Sequence, residues 1–302
     1  MRELVAARWP VPDGAPRPLL FARSELSVLE YWDFTRGGGR VPRRAGTPLR
    51  TPVEHSAHGP AWLAALPPEG ESDGDGGGGG DGDGDGVQSV LSLAVWDGPG
   101  GSRLAVHDVR EGPRLDVPCF DPGQEPSFSD LRVLRFGDRL LVALPTSHHG
   151  LYLVDVTTGR RLHLPDRAAW GTYALSAGGR QELLVVGQER TRILPMEEPL
   201  AALARPVGRR TRLEGVRRAK AVAPALAASH EHAPALLGIR VVALLPGDEE
   251  YAVAAGEVLA VVGVRDGAAR SRLVLPSVCT ALAVGPGGEL AVGTRNGLIL
   301  FD

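Results

Sequence analysis

LRVLRFGDRLLVALPTSHHGLYLVDVTTGRRLHL, residues 131–164, carries the most regular strand pattern in the sequence. Leu131 to Phe136 alternates apolar and polar residues, the two-residue period of a half-buried strand. Gly137-Asp138 then makes a turn, and Leu140 to Leu144 runs continuously apolar, as a strand covered on both faces does. Pro145 to Gly150 form a loop, Leu151 to Asp155 a third strand, and Thr157-Thr158-Gly159 turns the chain into Arg160 to Leu164. The stretch predicts four antiparallel strands in a meander.

The unit recurs on both sides. At the start of the sequence, Leu4–Trp9, a turn at Pro12-Asp13-Gly14, Leu19–Ala22 and Leu26–Trp32 repeat it. A second copy runs through Trp62–Leu66, Val90–Val95, Leu104–His107 and Arg114–Val117, with a long insertion after its first strand. Tyr173–Leu175, Leu183–Val186 and Ile193-Leu194 make a less complete copy. Ile239–Leu245, Tyr251–Ala254, Val258–Val264 and Arg272–Leu275 make another, and Thr280–Val284, Leu290–Val292 and Leu298–Phe301 the last. A period of roughly 40 residues is that of propeller blades, since one meander cannot bury both faces and stacked meanders can. A β-sandwich would also alternate, but the regular four-strand period favours an all-β propeller of six or seven four-stranded blades in a single domain, 1–302. The last copy stops at its third strand while residues 3–9 read as a first strand, so the expectation is a three-stranded final blade or an incompletely closed ring.

Several third strands end in an apolar or aromatic residue and Asp: Trp32-Asp33, Val154-Asp155 and Phe301-Asp302, with His107-Asp108 in the same place. These endings, and the run from Val278 to Phe301, resemble WD40 repeats, although the Gly-His pair that opens such repeats is absent and Trp96-Asp97 ends a second strand. The resemblance omits residues 41–60, 69–86 and about 197–236. It implies a rigid platform for other proteins, a non-catalytic interaction scaffold rather than an enzyme.

Composition agrees with many turns: 40 Gly and 25 Pro. No apolar run approaches the roughly 20 residues that span a bilayer, and Met1 to Pro10 lacks the apolar core of a secretory signal. Cys119 and Cys279 are too few for a disulfide framework, so a reducing cytoplasmic setting is expected. The net charge of −3 hides two opposed segments. Residues 69–86 carry seven acids and no base, with a Gly/Asp composition that predicts a disordered insertion between the first two strands of its unit. Residues 197–236 read as a degenerate blade or a connecting segment. Within them Arg205, Arg209, Arg210, Arg212, Arg217, Arg218 and Lys220 form a basic cluster. Those seven residues are the candidate partner-binding site, complementary to an acidic protein surface and expected on the face that carries the loops between second and third strands. The acidic insertion is expected on the opposite face. Nucleic acid is disfavoured by the net negative charge and few aromatics.

Other chemistry is weakly signalled. Asp81, Asp83, Asp85 and Gly86 match the opening of a calcium loop, yet its twelfth position is Ser92 rather than a bidentate glutamate. His55, His58, His148, His149, His230 and His232 support an alternative, an enzyme or metal-binding propeller with a histidine-bearing face. There is no Gly-x-Ser-x-Gly, Walker-type loop or His-Glu-x-x-His. No cofactor is expected.

Overall fold

The computed structural model describes residues 3–11, 14–23, 28–33, 43–44, 49–50, 61–65, 90–98, 101–118, 131–146, 150–165, 169–204, 222–284 and 288–301. They fall in two units, Met1–Gln124 and Glu125–Asp302. In the first unit, β1 (Glu3–Val11), β2 (Gly14–Arg23) and β3 (Val28–Asp33) form a meander whose far edge is shared by β4 (Arg43–Arg44) and β5 (Leu49–Arg50). A second sheet follows with β6 (Ala61–Ala65), β7 (Val90–Gly98), β8 (Gly101–Asp108) and β9 (Gly112–Pro118).

The second unit opens with the sheet of the decisive stretch: β10 (Arg132–Phe136), β11 (Arg139–Thr146), β12 (Gly150–Asp155) and β13 (Arg161–Leu164). The fourth sheet is β14 (Ala169–Leu175), β15 (Glu182–Gly187), β16 (Thr191–Pro195) and β17 (His230–His232), with helix α1 (Glu197–Ala204) following β16. β18 (Val241–Leu244), β19 (Glu250–Ala255), β20 (Val258–Gly263) and β21 (Ala269–Val274) make the fifth. The sixth has three strands, β22 (Cys279–Val284), β23 (Leu290–Thr294) and β24 (Gly297–Phe301). Six antiparallel sheets therefore stand among the described residues, the last one short by a strand as expected. β1 pairs β2, so residues 3–11 serve as a first strand.

Strand alternation sorts the core of the second unit into layers. From β15, Leu183 and Val185 pack on the third sheet, while Leu184 and Val186 pack on the fifth. From β19, Tyr251 and Val253 face the fourth sheet and Ala252 and Ala254 the sixth. Middle strands are covered on both faces, which is why they read as unbroken apolar runs. First strands are tied to one another. The Tyr173 hydroxyl donates to the Val242 carbonyl at 2.6 Å, and the Arg132 guanidinium lies 4.3 Å from the centre of the Tyr173 ring. Cys279 is buried and unpaired beside Leu259 and Val292, and burial pushes its thiol above the ordinary range.

Two of the aspartates that end third strands, Asp155 and Asp108, have a structural job. Asp155, buried, accepts the backbone N–H groups of Thr157 and Thr158 at 2.9 and 2.7 Å and pairs with Arg139 at 3.3 Å. Asp108, also buried, accepts from Arg110 and Glu111 and pairs with Arg114 at 2.7 Å. Each carboxylate closes the tight turn into the fourth strand, an Asx turn with a guanidinium behind it. The backbone bond from the Val156 N–H to the Leu140 carbonyl beside Asp155 has counterparts in Val264–Glu249 of the fifth sheet and Met196–Gln181 of the fourth, which mark the equivalent place there. There the fifth sheet has Gly263, and Asp266 folds its carboxylate over that glycine to accept the Ala268 N–H and hold Arg270. The fourth sheet has Pro195, which offers no carboxylate, and the chain enters α1 instead of turning.

Candidate functional site

The seven candidate residues Arg205, Arg209, Arg210, Arg212, Arg217, Arg218 and Lys220 lie outside the described residues, as do His55, His58, His148, His149 and the 69–86 run. The structure shows what flanks the basic cluster. α1 starts at the end of β16 with Glu197 and Glu198 at its positive pole and Pro199 in its first turn. Leu200 and Leu203 bury themselves against Leu162, Leu164 and Leu194. At the other pole the Arg160 guanidinium donates to the Leu203 carbonyl at 3.1 Å, satisfying one of the free carbonyls of the last turn. On the far side of the cluster residues 222–227 are helical; Val222 is buried in the same core and Leu226 packs on it. The Ser229 hydroxyl closes this helix on the Leu226 carbonyl at 2.6 Å.

β17 follows, so the whole segment joins the third and fourth strands of one sheet. In a meander, third-to-fourth connections leave from the same end as first-to-second connections, the class to which the acidic run between β6 and β7 belongs. His230 and His232 sit in a strand rather than in a connection between sheets.

β17 brings three polar residues against β16. Glu231 lies opposite Arg192 and pairs with it and with Arg190, the latter at 3.2 Å. Burial pushes the Glu231 carboxyl up, but the guanidiniums of Arg192 and Arg190 outweigh it and hold the group below its ordinary range. His230 and His232 have ring centres 6.4 Å apart. The His232 ring lies over Gly267 with Nδ1 3.1 Å from the Ala233 carbonyl and Nε2 3.2 Å from the Val264 carbonyl. The two ring nitrogens thus face backbone oxygens at the fourth-to-fifth junction, and the single N–H of a neutral imidazole can donate to one of them. Among the described residues no group of three His, Cys, Asp or Glu is placed to hold a metal.

Beside this strand a cavity of about 400 Å³ opens between the third and fourth sheets. Pro165, Val185 and Leu226 give it apolar lining, and Glu189, Arg190 and Arg192 charged lining.

No family model matches the sequence, and no curated protein matches it. Solved structures do. A crystal structure of BBS1N in complex with ARL6DN superposes with a TM-score of 0.58 at 12% identity, covering 98% of this chain and 77% of that one. The fold is a β-propeller. The β-propeller domain of Myceliophteria thermophila Cps50 (Swd1) is matched with a TM-score of 0.43 at 13% identity, covering 68% of this chain and 58% of that one. Sequence reasoning missed β17, because three polar residues so far from β16 carry no strand pattern, and it missed Asp266, whose position is offset from that of Asp155.

Proposed function

We propose that this chain is a non-catalytic propeller scaffold of one domain, 1–302, acting in the cytoplasm, which docks an acidic protein surface through Arg205, Arg209, Arg210, Arg212, Arg217, Arg218 and Lys220. The observation that carries this reading is the anchoring of both ends of residues 205–221 in one core, through Leu200 and Leu203 on one side and Val222 on the other. A connection held at both ends on rigid sheets presents its side chains from a fixed base, as binding loops do. Seven bases and one acid in residues 205–220 favour carboxylates, which arginine forks grip in bidentate fashion. The neighbouring described arginines, Arg190 and Arg192, already share Glu231. No described helix is long and apolar enough to cross a membrane.

The test replaces Arg209, Arg210, Arg217 and Arg218 by Ser. Exposed changes cost within about 0.5 kcal/mol each, so the fold should persist. Proteins captured from the native cell at low salt by the original chain should be lost by the variant, and their association should lose its salt dependence. Equal capture by both would remove the cluster from the docking surface. Stoichiometric zinc in the purified protein would instead favour the metal-binding alternative.

A further inference from the structure

The sequence contains a single asparagine, Asn296, and it stands directly before Gly297. Arg295 and Asn296 form the turn between β23 and β24, and both are exposed. Asn-Gly suits a hairpin turn because both residues accept backbone conformations that others resist. Gly297 uses that freedom, with a φ of +145°. Thr294 staples the turn: its hydroxyl accepts the Asn296 N–H at 3.3 Å and donates to the Gly297 carbonyl at 2.9 Å. The Asn296 side-chain amide has no hydrogen-bond partner among the described residues. No atom lies within 4 Å of the place that a Cβ on Gly297 would occupy.

The β20–β21 turn has the opposite arrangement. There Asp266 precedes Gly267, whose φ is +65°. The Asp266 carboxylate is committed to the Ala268 N–H and to Arg270, and the His232 ring fills the space beside Gly267. An acyl side chain closes on the backbone nitrogen that follows it only when the side chain is free to turn and there is room at the next residue. The turn at Asp266-Gly267 offers neither, and the turn at Asn296-Gly297 offers both.

We propose that Asn296-Gly297 is a site of spontaneous covalent modification, deamidation to aspartate and isoaspartate. The Gly297 backbone nitrogen attacks Asn296 Cγ. An N–Cγ bond forms, the Cγ–Nδ2 bond breaks, and the side-chain nitrogen leaves as ammonia with the proton that the Gly297 nitrogen gives up. Water then opens the succinimide ring at either carbonyl. Opening at the main-chain carbonyl leaves isoaspartate, in which the chain runs through the side-chain carbons; opening at the other leaves aspartate. Water is the sole co-reactant, and asparagine belongs to the thermolabile residues. Glycine favours the step because no Cβ obstructs the approach. Isoaspartate lengthens the main chain inside a turn closed by the Thr294–Gly297 pair and the Thr294 hydroxyl, so the register of β24 on β23 is disturbed from its first pair. A new carboxylate also appears beside Arg295.

The test uses the full chain, incubated in mildly alkaline buffer well below its melting temperature, beside a synthetic peptide of residues 293–302 as the unfolded reference. Trypsin cuts after Arg295, so the fragment beginning at Asn296 reports this site alone. In the folded chain that fragment should become about 1 Da heavier and separate by chromatography into aspartyl and isoaspartyl forms. The fragment from Asp266 to Arg270 should divide only when the chain is unfolded in urea. Asn296→Gln, which would have to close a larger ring, should gain no mass over the same interval. The isolated isoaspartyl form should melt below the unmodified chain, whereas Asn296→Asp, which carries the charge without the longer main chain, should not. A folded chain that keeps its mass while the reference peptide converts overturns the proposal. An isoaspartyl form that melts together with Asn296→Asp overturns the disturbance of β24.

Discussion

Gly150, which opens β12, is a described position where a single added methyl group should do harm out of proportion to its size. Its φ of +98° lies where side chains rarely go, and an added Cβ would press into the Leu164 carbonyl oxygen with Pro165 Cα only 3.0 Å away. Both obstacles are backbone, held by the β12–β13 ladder, so neither can swing aside. Gly256, in the β19–β20 turn, is a matched control: its φ is +60° and no atom lies within 4 Å of an added Cβ. Placing an L residue in the left-handed region costs about 1–2 kcal/mol, and overpacking adds about 1–3 kcal/mol more. Gly256→Ala should therefore lose about 1–2 kcal/mol and Gly150→Ala about 2–5 kcal/mol. For a unit of this size each kcal/mol lowers Tm by about 2–4 °C, which separates the two variants by several degrees. Thermal and urea melts followed by far-ultraviolet circular dichroism provide the measurement, with the slope in urea checked for constancy. Equal losses in the two variants would refute the argument, because they would mean that the Leu164–Pro165 backbone yields freely.

Asp155→Ala should cost about 2–3 kcal/mol in urea unfolding, since it leaves two turn N–H groups and Arg139 without their buried acceptor; Asp155→Asn, which keeps one oxygen, should recover part of the loss. The Glu231 carboxyl is depressed in the folded state, so its contribution is full above the unfolded pKa and disappears as pH falls through the folded value. Glu231→Gln should therefore flatten stability against pH on the acid side of the ordinary carboxylate range and leave the slope near neutrality unchanged; an unaltered acid slope would discount the Arg190–Glu231–Arg192 network. Deleting residues 69–86 should leave Tm nearly unchanged with or without calcium, because their composition offers nothing apolar to offset ordering entropy; a calcium-dependent rise of several degrees would contradict it.

Local pattern alone determined most of the sheet-building here. β10 to β13 fall within a residue or two of the runs at 131–136, 140–144, 151–155 and 160–164, because alternation, unbroken apolar runs and Gly-centred turns are each set by neighbours in the chain. The same holds for the three strands of the last sheet. What tertiary structure decided is who pairs with whom at a distance. β17 is a strand only because β16 presents Thr191 to Ile193 to it, and no periodicity in His230-Glu231-His232 announces that. The carboxylate that closes a turn is chosen by geometry as well, Asp155 within its strand and Asp266 folding back over Gly263. Burial is likewise decided by the tertiary structure: Leu183 and Leu184 read alike within one apolar run, and only the sheets on either side send the first to the third sheet and the second to the fifth, because burial depends on what lies across each face and a sequence records only what lies along the strand.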